Sequence, residues 1–276
     1  MKNEQVPARI SPLAAVSFLL FAQVFLSLLA GTVDGGVGRI LFMLSYLIPI
    51  VLFAFLVRRQ GLVCALTPTR VGFTRVLPLL PIFLTAVLLT STATAAIMNL
   101  LGADAVGGMA EGGGFLPDLI TDCVFPAVLE EGLMRFAVLS LLLLWNERHA
   151  IWISALLFAL LHASIYQLPY AFVGGLFLSL ATVWGGSPVW AVLFHFVSNL
   201  LSLFMQYAVI WWGEKTGLGV SLALSFVLFL LAAIGLLVLL KRDRTPKREK
   251  IPTDWRSLLL SPLPLWALMM LILTVL

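Results

Sequence analysis

Cysteine, histidine and charge are all scarce in this chain of 276 residues, which holds two cysteines, three histidines and only 11% charged residues. Cys64 and Cys123 lack Cys-x-x-Cys spacing. They therefore support neither a disulfide framework nor a thiolate metal site, and both read as packing residues. The charge content is less than half of the roughly 25% found in soluble domains, while 61% of the residues are hydrophobic and the mean hydropathy is +1.08. Soluble classes are excluded. Three catalytic or nucleotide signatures are missing as well. There is no His-Glu-x-x-His and no Gly-x-Ser-x-Gly, and the glycines of 102–114 are followed by no Lys-Ser/Thr that would make them a phosphate cradle. The net charge of +4 does not point to nucleic acid, because the basic residues lie between apolar runs, where membrane topology accounts for them.

What the chain has instead is a series of apolar runs. Their lengths predict an all-α polytopic membrane protein, one membrane domain over 1–276, with about eight transmembrane helices. The expected spans are 12–30, 37–57, 76–101, 115–145, 150–166, 168–184, 188–212 and 218–240. A cytoplasmic basic linker, 241–256, and a C-terminal apolar segment, 257–276, follow; the latter either crosses the membrane as a ninth span or lies on it. With the N-terminus in the cytoplasm, Lys2, Arg9, Arg58, Arg59, Arg70, Arg75, Arg148 and the linker all fall inside, and Arg39 and Lys215 are the basic exceptions outside. The expected location is a multi-pass integral membrane protein, in the cell membrane if the source is prokaryotic.

The costliest residues to place are Glu130, Glu131 and Arg135, deep in the apolar run 115–145. An ionisable group at bilayer depth costs a few kcal/mol or more unless it is paired or wetted, so such residues are functional-site candidates. Adjacent helical residues point about 100° apart, which gives Glu130 and Glu131 different roles. Glu131 precedes Arg135 by four residues, the spacing of a same-face ion pair. Glu130 is left as the unpaired carboxylate, about 20 Å down a helix that begins near Pro117, close to mid-bilayer. Pro126 removes a backbone hydrogen bond to residue 122 and predicts a kink. Asp118 and Asp122 are expected at a solvated helix start.

Two of the histidines also lie inside spans. His162 follows Phe158 by one helical turn, and His195 shares a helix face with Asn199; His149 falls in a cytoplasmic turn and is assigned no role. Three spans thus each bring a base, imidazole or amide inward. A carboxylate and one imidazole can activate water while a second imidazole and a carboxamide donate to an oxyanion, which is the equipment of acyl hydrolysis. Glu130, His162 and His195 are also a candidate ligand set for one divalent metal such as zinc. A buried carboxylate with histidines equally fits a proton-coupled membrane carrier.

The sequence resembles the CAAX protease and bacteriocin-processing group of intramembrane proteases, which includes the prenyl-protein endopeptidases. The resemblance is carried by Glu130-Glu131 to Arg135, Phe158 to His162 and His195 to Asn199, in that order and on separate helices. It covers about 117–204, which it marks as the catalytic core helices. It implies an intramembrane endopeptidase, a hydrolase of glutamate- or metal-dependent type, acting on a membrane-anchored or lipidated protein or peptide within the lipid bilayer. Glu130 and His162 would activate the hydrolytic water, His195 and Asn199 would hold the oxyanion, and Glu131, Arg135 and Phe158 would support the site. Some of the group resemble immunity factors, so a non-catalytic binding scaffold is the alternative within it. The chain departs from the usual pattern in having Met134 before the arginine and Phe136 after it.

Overall fold

The computed structural model describes residues 11–60, 72–102, 114–241 and 254–275. Lys2, Arg9, Cys64, Arg70, most of the Gly-rich loop and nearly all of the basic linker lie outside the described residues. Those described are almost wholly helical and include no strand. In chain order the helices are α1 (Pro12–Ala30), α2 (Gly35–Gln60), the short α3 (Gly72–Val76) and α4 (Leu79–Leu100). A long helical run over 115–145 comes next. It is followed by α8 (Glu147–Leu161), α9 (Leu168–Gly185), α10 (Val189–Trp212), α11 (Glu214–Leu240), α12 (Trp255–Leu260) and α13 (Leu263–Val275).

The run over 115–145 is not a uniform α-helix. α5 (Phe115–Asp118), α6 (Phe125–Glu131) and α7 (Ser140–Trp145) alternate with two π-helical stretches, Leu119–Val124 and Gly132–Leu139. Pro126 stands where the first stretch returns to α-helix, since it has no N–H to continue the ladder. The second stretch begins directly after the glutamate pair. Its residues Leu133, Met134, Arg135, Ala137, Val138 and Leu139 are all buried. A helix apolar on every side belongs in the middle of a bundle, and α2, α8, α9 and α1 all pack around this stretch. Met134 is sealed in the core, and Phe136 packs edge-on against Phe53 of α2.

Among the described residues six helices are long and apolar enough to cross a membrane, and together with the central run they make this a multi-pass membrane protein. α11 is the most peripheral of them, packed on α4 and α10 with most of its large apolar side chains exposed. Two expected spans differ in extent. The expected 150–166 helix stops at Leu161, with His162 as its C-cap and Ala163 in the left-handed region at φ 45°. At 15 residues it rises about 22 Å. The segment 257–276 is not one span, because Ser261 takes extended backbone ahead of Pro262 and separates α12 from α13. The 13 residues of α13 rise only about 20 Å, short of the roughly 30 Å hydrocarbon core. Its Leu263, Trp266 and Met270 are buried, and the helix lies along α1 and α8.

α8 and α9 approach closely enough to need a glycine. A Cβ at Gly175 would lie 2.9 Å from the Cα of Ala155, and backbone cannot yield as a flexible side chain can. Gly175→Ala is therefore expected to destabilise the protein by about 1–3 kcal/mol through overpacking, checked by thermal unfolding in detergent. Gly132→Ala, whose Cβ would meet only the end of the Ile50 side chain, is expected to cost less.

Candidate active site

The central run and α10 lie antiparallel and are stitched by three polar contacts. Tyr207 Oη donates to Asp118 Oδ2 at 2.7 Å, Asn199 Nδ2 donates to the carbonyl oxygen of Asp122 at 2.9 Å, and His195 Nδ1 bonds Glu131 Oε1 at 2.9 Å. Asp118 is thus buried and bonded, not part of a solvated helix start. Inside a bilayer such contacts hold helices together, because an unsatisfied polar group has no water to turn to.

Glu131 is the hub of the buried polar set. Its Oε2 lies 3.1 Å from Arg135 Nε, and Arg135 Nη1 donates to Oε1 at 3.3 Å; both side chains are fully buried. Arg135 Nη2 reaches α9 and donates to the carbonyl of Gly175 at 3.1 Å. The guanidinium carbon also sits 4.4 Å from the centroid of the Phe158 ring, a cation–π geometry. That ring meets His162 and His195 edge-on, with centroids 4.8 Å and 6.0 Å away. Phe158 thus packs against the guanidinium and both imidazoles, while Arg135 and His195 still meet at Glu131 Oε1.

Glu130 faces the other way. Its Oε2 is 3.9 Å from His162 Nε2, and both side chains keep 19% exposure. His162 Nδ1 lies 2.8 Å from the carbonyl oxygen of Phe158. A carbonyl only accepts, so Nδ1 carries the hydrogen and neutral His162 presents the Nε2 lone pair toward Glu130. Two acceptors 3.9 Å apart are spaced for a bridging water that donates to both.

Glu130, His162, His195 and Asn199 all line one cavity of about 340 Å³, within the size range of ligand sites. Phe83 and Val87 of α4 form an apolar wall, and Thr121, Gln167, Tyr170 and Ser198 add polar groups. The structure sets His162 beside Glu130 and bonds His195 to Glu131. Among the described residues no three His, Cys, Asp or Glu side chains are gathered so that they could hold a metal ion. The zinc set Glu130, His162 and His195 is thus not gathered around one point in this arrangement.

A polytopic helical protein with a carboxylate, two imidazoles and a carboxamide converging on one cavity has the layout of an intramembrane hydrolase. Residues 112–201 match the family model described as type II CAAX prenyl endopeptidase Rce1-like, within the group that the three spaced motifs resemble. The match covers α5 through the first half of α10, with Glu130, His162, His195 and Asn199, and it supports an intramembrane endopeptidase in general. No match was found among curated proteins or among solved structures.

Proposed function

We propose that the chain hydrolyses a peptide bond in a membrane-anchored, prenylated or otherwise lipidated protein, using a water held between Glu130 and His162. The observation that carries this reading is the convergence of Glu130, His162, His195 and Asn199 on one cavity. The water oxygen attacks the carbonyl carbon as its proton passes to the Glu130 carboxylate. The resulting oxyanion accepts from His195 Nε2–H and from the second Nδ2 hydrogen of Asn199. The C–N bond then breaks, the leaving nitrogen takes the proton from Glu130, and the products are a free acid and a free amine. Glu131, Arg135 and Phe158 do not touch the reacting atoms; they orient His195 and hold the buried charge in place. The catalytic core is 117–204. The N-terminus is placed in the cytoplasm, as the distribution of basic residues favours.

This assignment sets the protonation of each partner. His195 Nδ1–H already serves Glu131, so Nε2 can donate to an oxyanion only in the imidazolium. Glu130 must be ionised to take a proton. Cleavage is expected to fall on the alkaline side as His195 loses its second proton. The test is a mass-spectrometric assay of purified protein in liposomes with a farnesylated peptide ending in Cys-a-a-X. Cleavage that keeps rising on the alkaline side would remove His195 from the donor role. The same assay with chelator is expected to keep its rate. A loss restored by zinc would instead favour a metal-dependent mechanism.

A further inference from the structure

The cavity around Glu130 is closed toward one end of the bundle and open toward the other. Along the central run beyond Glu130, residues 131, 133–135 and 137–142 are buried, and so are 157–160 of α8, which seals that side. In the other direction Thr121 and Asp122, which line the cavity, are exposed, as are Ala163 and Ile165 in the turn between α8 and α9. That turn lies at the depth of the site, because His162 and Gln167 on either side of it line the same cavity. Its neighbours continue well past it. The central run from Glu130 back to Phe115, α10 from Asn199 to Trp212 and α4 from Val87 to Leu100 each rise about 20 Å further. The early turn between α8 and α9 therefore leaves a recess through which the cavity reaches the end of the bundle.

Contacts between helices show which termini share each end. At the open end Phe115 meets Tyr207 and Trp211 of α10. At the closed end Trp145 Nε1 donates to Ser257 Oγ at 3.1 Å, and a Cβ at Gly235 of α11 would meet the Pro78 carbonyl ahead of α4. α2 runs parallel to the central run, since its Ile50 lies at Gly132 and its Phe53 at Phe136. The closed end thus carries Arg58, Arg75, Lys241 and Arg256, and the adjoining sequence adds Arg59, Arg70 and the rest of the basic linker. The open end carries Asp34 and Glu214, with Arg39 and Lys215 as its basic residues. An excess of lysine and arginine marks the cytoplasmic side of a membrane protein. Resting on the hydrolase reading, we propose that the catalytic cavity opens to the non-cytoplasmic face, so that the substrate is an exported polypeptide held in that leaflet by an apolar anchor. Its chain descends the recess from the aqueous side and reaches Glu130 without crossing the sealed half of the bundle.

Two measurements decide the proposal. The first needs no turnover. In a Cys64→Ala background the remaining native thiol, Cys123, is fully buried, so single cysteines can be placed at the mouth, Thr121→Cys or Ile165→Cys, and at the closed end, Lys241→Cys. Each is treated with a membrane-impermeant maleimide in intact cells and in inverted membrane vesicles, and labelling after denaturation gives the total thiol. Both mouth cysteines are expected to label in intact cells, and Lys241→Cys in inverted vesicles alone. Labelling of the mouth cysteines from the cytoplasmic face, or from neither face, would overturn the proposal whether or not the protein is a protease. The second measurement adds a lysine-bearing farnesylated peptide ending in Cys-a-a-X to right-side-out or to inverted vesicles, with Glu130→Gln vesicles as the background. Cleavage is expected to be at least about tenfold faster in the right-side-out vesicles, because a charged peptide crosses the hydrocarbon core only at high cost. Equal or faster cleavage in inverted vesicles would overturn the proposal. Absence of cleavage by the wild type from either face, with the labelling as expected, would instead count against the hydrolase reading alone.

Discussion

Glu130→Gln is expected to lower cleavage by about 10³-fold, within the range contributed by a positioned general base, while leaving the unfolding temperature unchanged. Glutamine keeps the size and one acceptor oxygen of glutamate but cannot take the proton of the attacking water. The substitution is structurally mild because Glu130 is partly exposed to the cavity and its neighbour there is His162 Nε2, at 3.9 Å. His162 keeps its Nδ1 bond to the Phe158 carbonyl in the variant, so no buried charge is orphaned. The variant should still bind substrate, and a loss confined to kcat would place Glu130 in the chemical step. Cleavage at the wild-type rate would sink the assignment. A pH-driven solute flux that the variant loses, with no peptide cleaved by either protein, would favour the carrier reading instead.

The extent to which the sequence displayed this site differs from residue to residue. The pairing of Glu131 with Arg135 was legible because four-residue spacing is a property of one helix. The inward placement of Glu130, His162, His195 and Asn199 was legible from the cost of polar groups in apolar spans. The bond of His195 to Glu131 was not, since that depends on the rotation of helices about their axes. The two π-helical stretches add a further shift that no spacing rule carries. One signal went unread. Asp118 and Asp122 in the central run, and His195, Asn199 and Tyr207 in α10, form polar stripes at helical spacing on two apolar helices, and those stripes face one another. The break between α12 and α13 was also visible in Ser261-Pro262. Hydropathy alone smoothed over it, because the residues on both sides are equally apolar.

The second large effect is expected where stability and activity come apart. Arg135→Met takes the cation from the Oε2 side of the fully buried Glu131 carboxylate and leaves His195 at Oε1 as its one recorded partner, and breaking a buried pair by removing one partner costs about 3–5 kcal/mol. The Gly175 carbonyl loses its donor at the same time. Replacing both partners, Glu131→Leu with Arg135→Met, removes the orphaned charge, and buried ion pairs exchanged for apolar residues of similar volume are often neutral or stabilising. The double variant is therefore expected to regain most of the unfolding temperature lost by Arg135→Met. It should nevertheless remain at least about 10²-fold slow in cleavage, since His195 Nδ1 then has no acceptor to fix its ring or favour the imidazolium. Arg135→Lys should restore charge but little of the activity, because an ammonium cannot reach Glu131 and the Gly175 carbonyl in one plane while lying over Phe158. Thermal unfolding in detergent and the farnesyl-peptide assay read the two quantities separately. A double variant that is stable and cleaves at the wild-type rate would show that Glu131 serves folding alone and that His195 needs no carboxylate behind it.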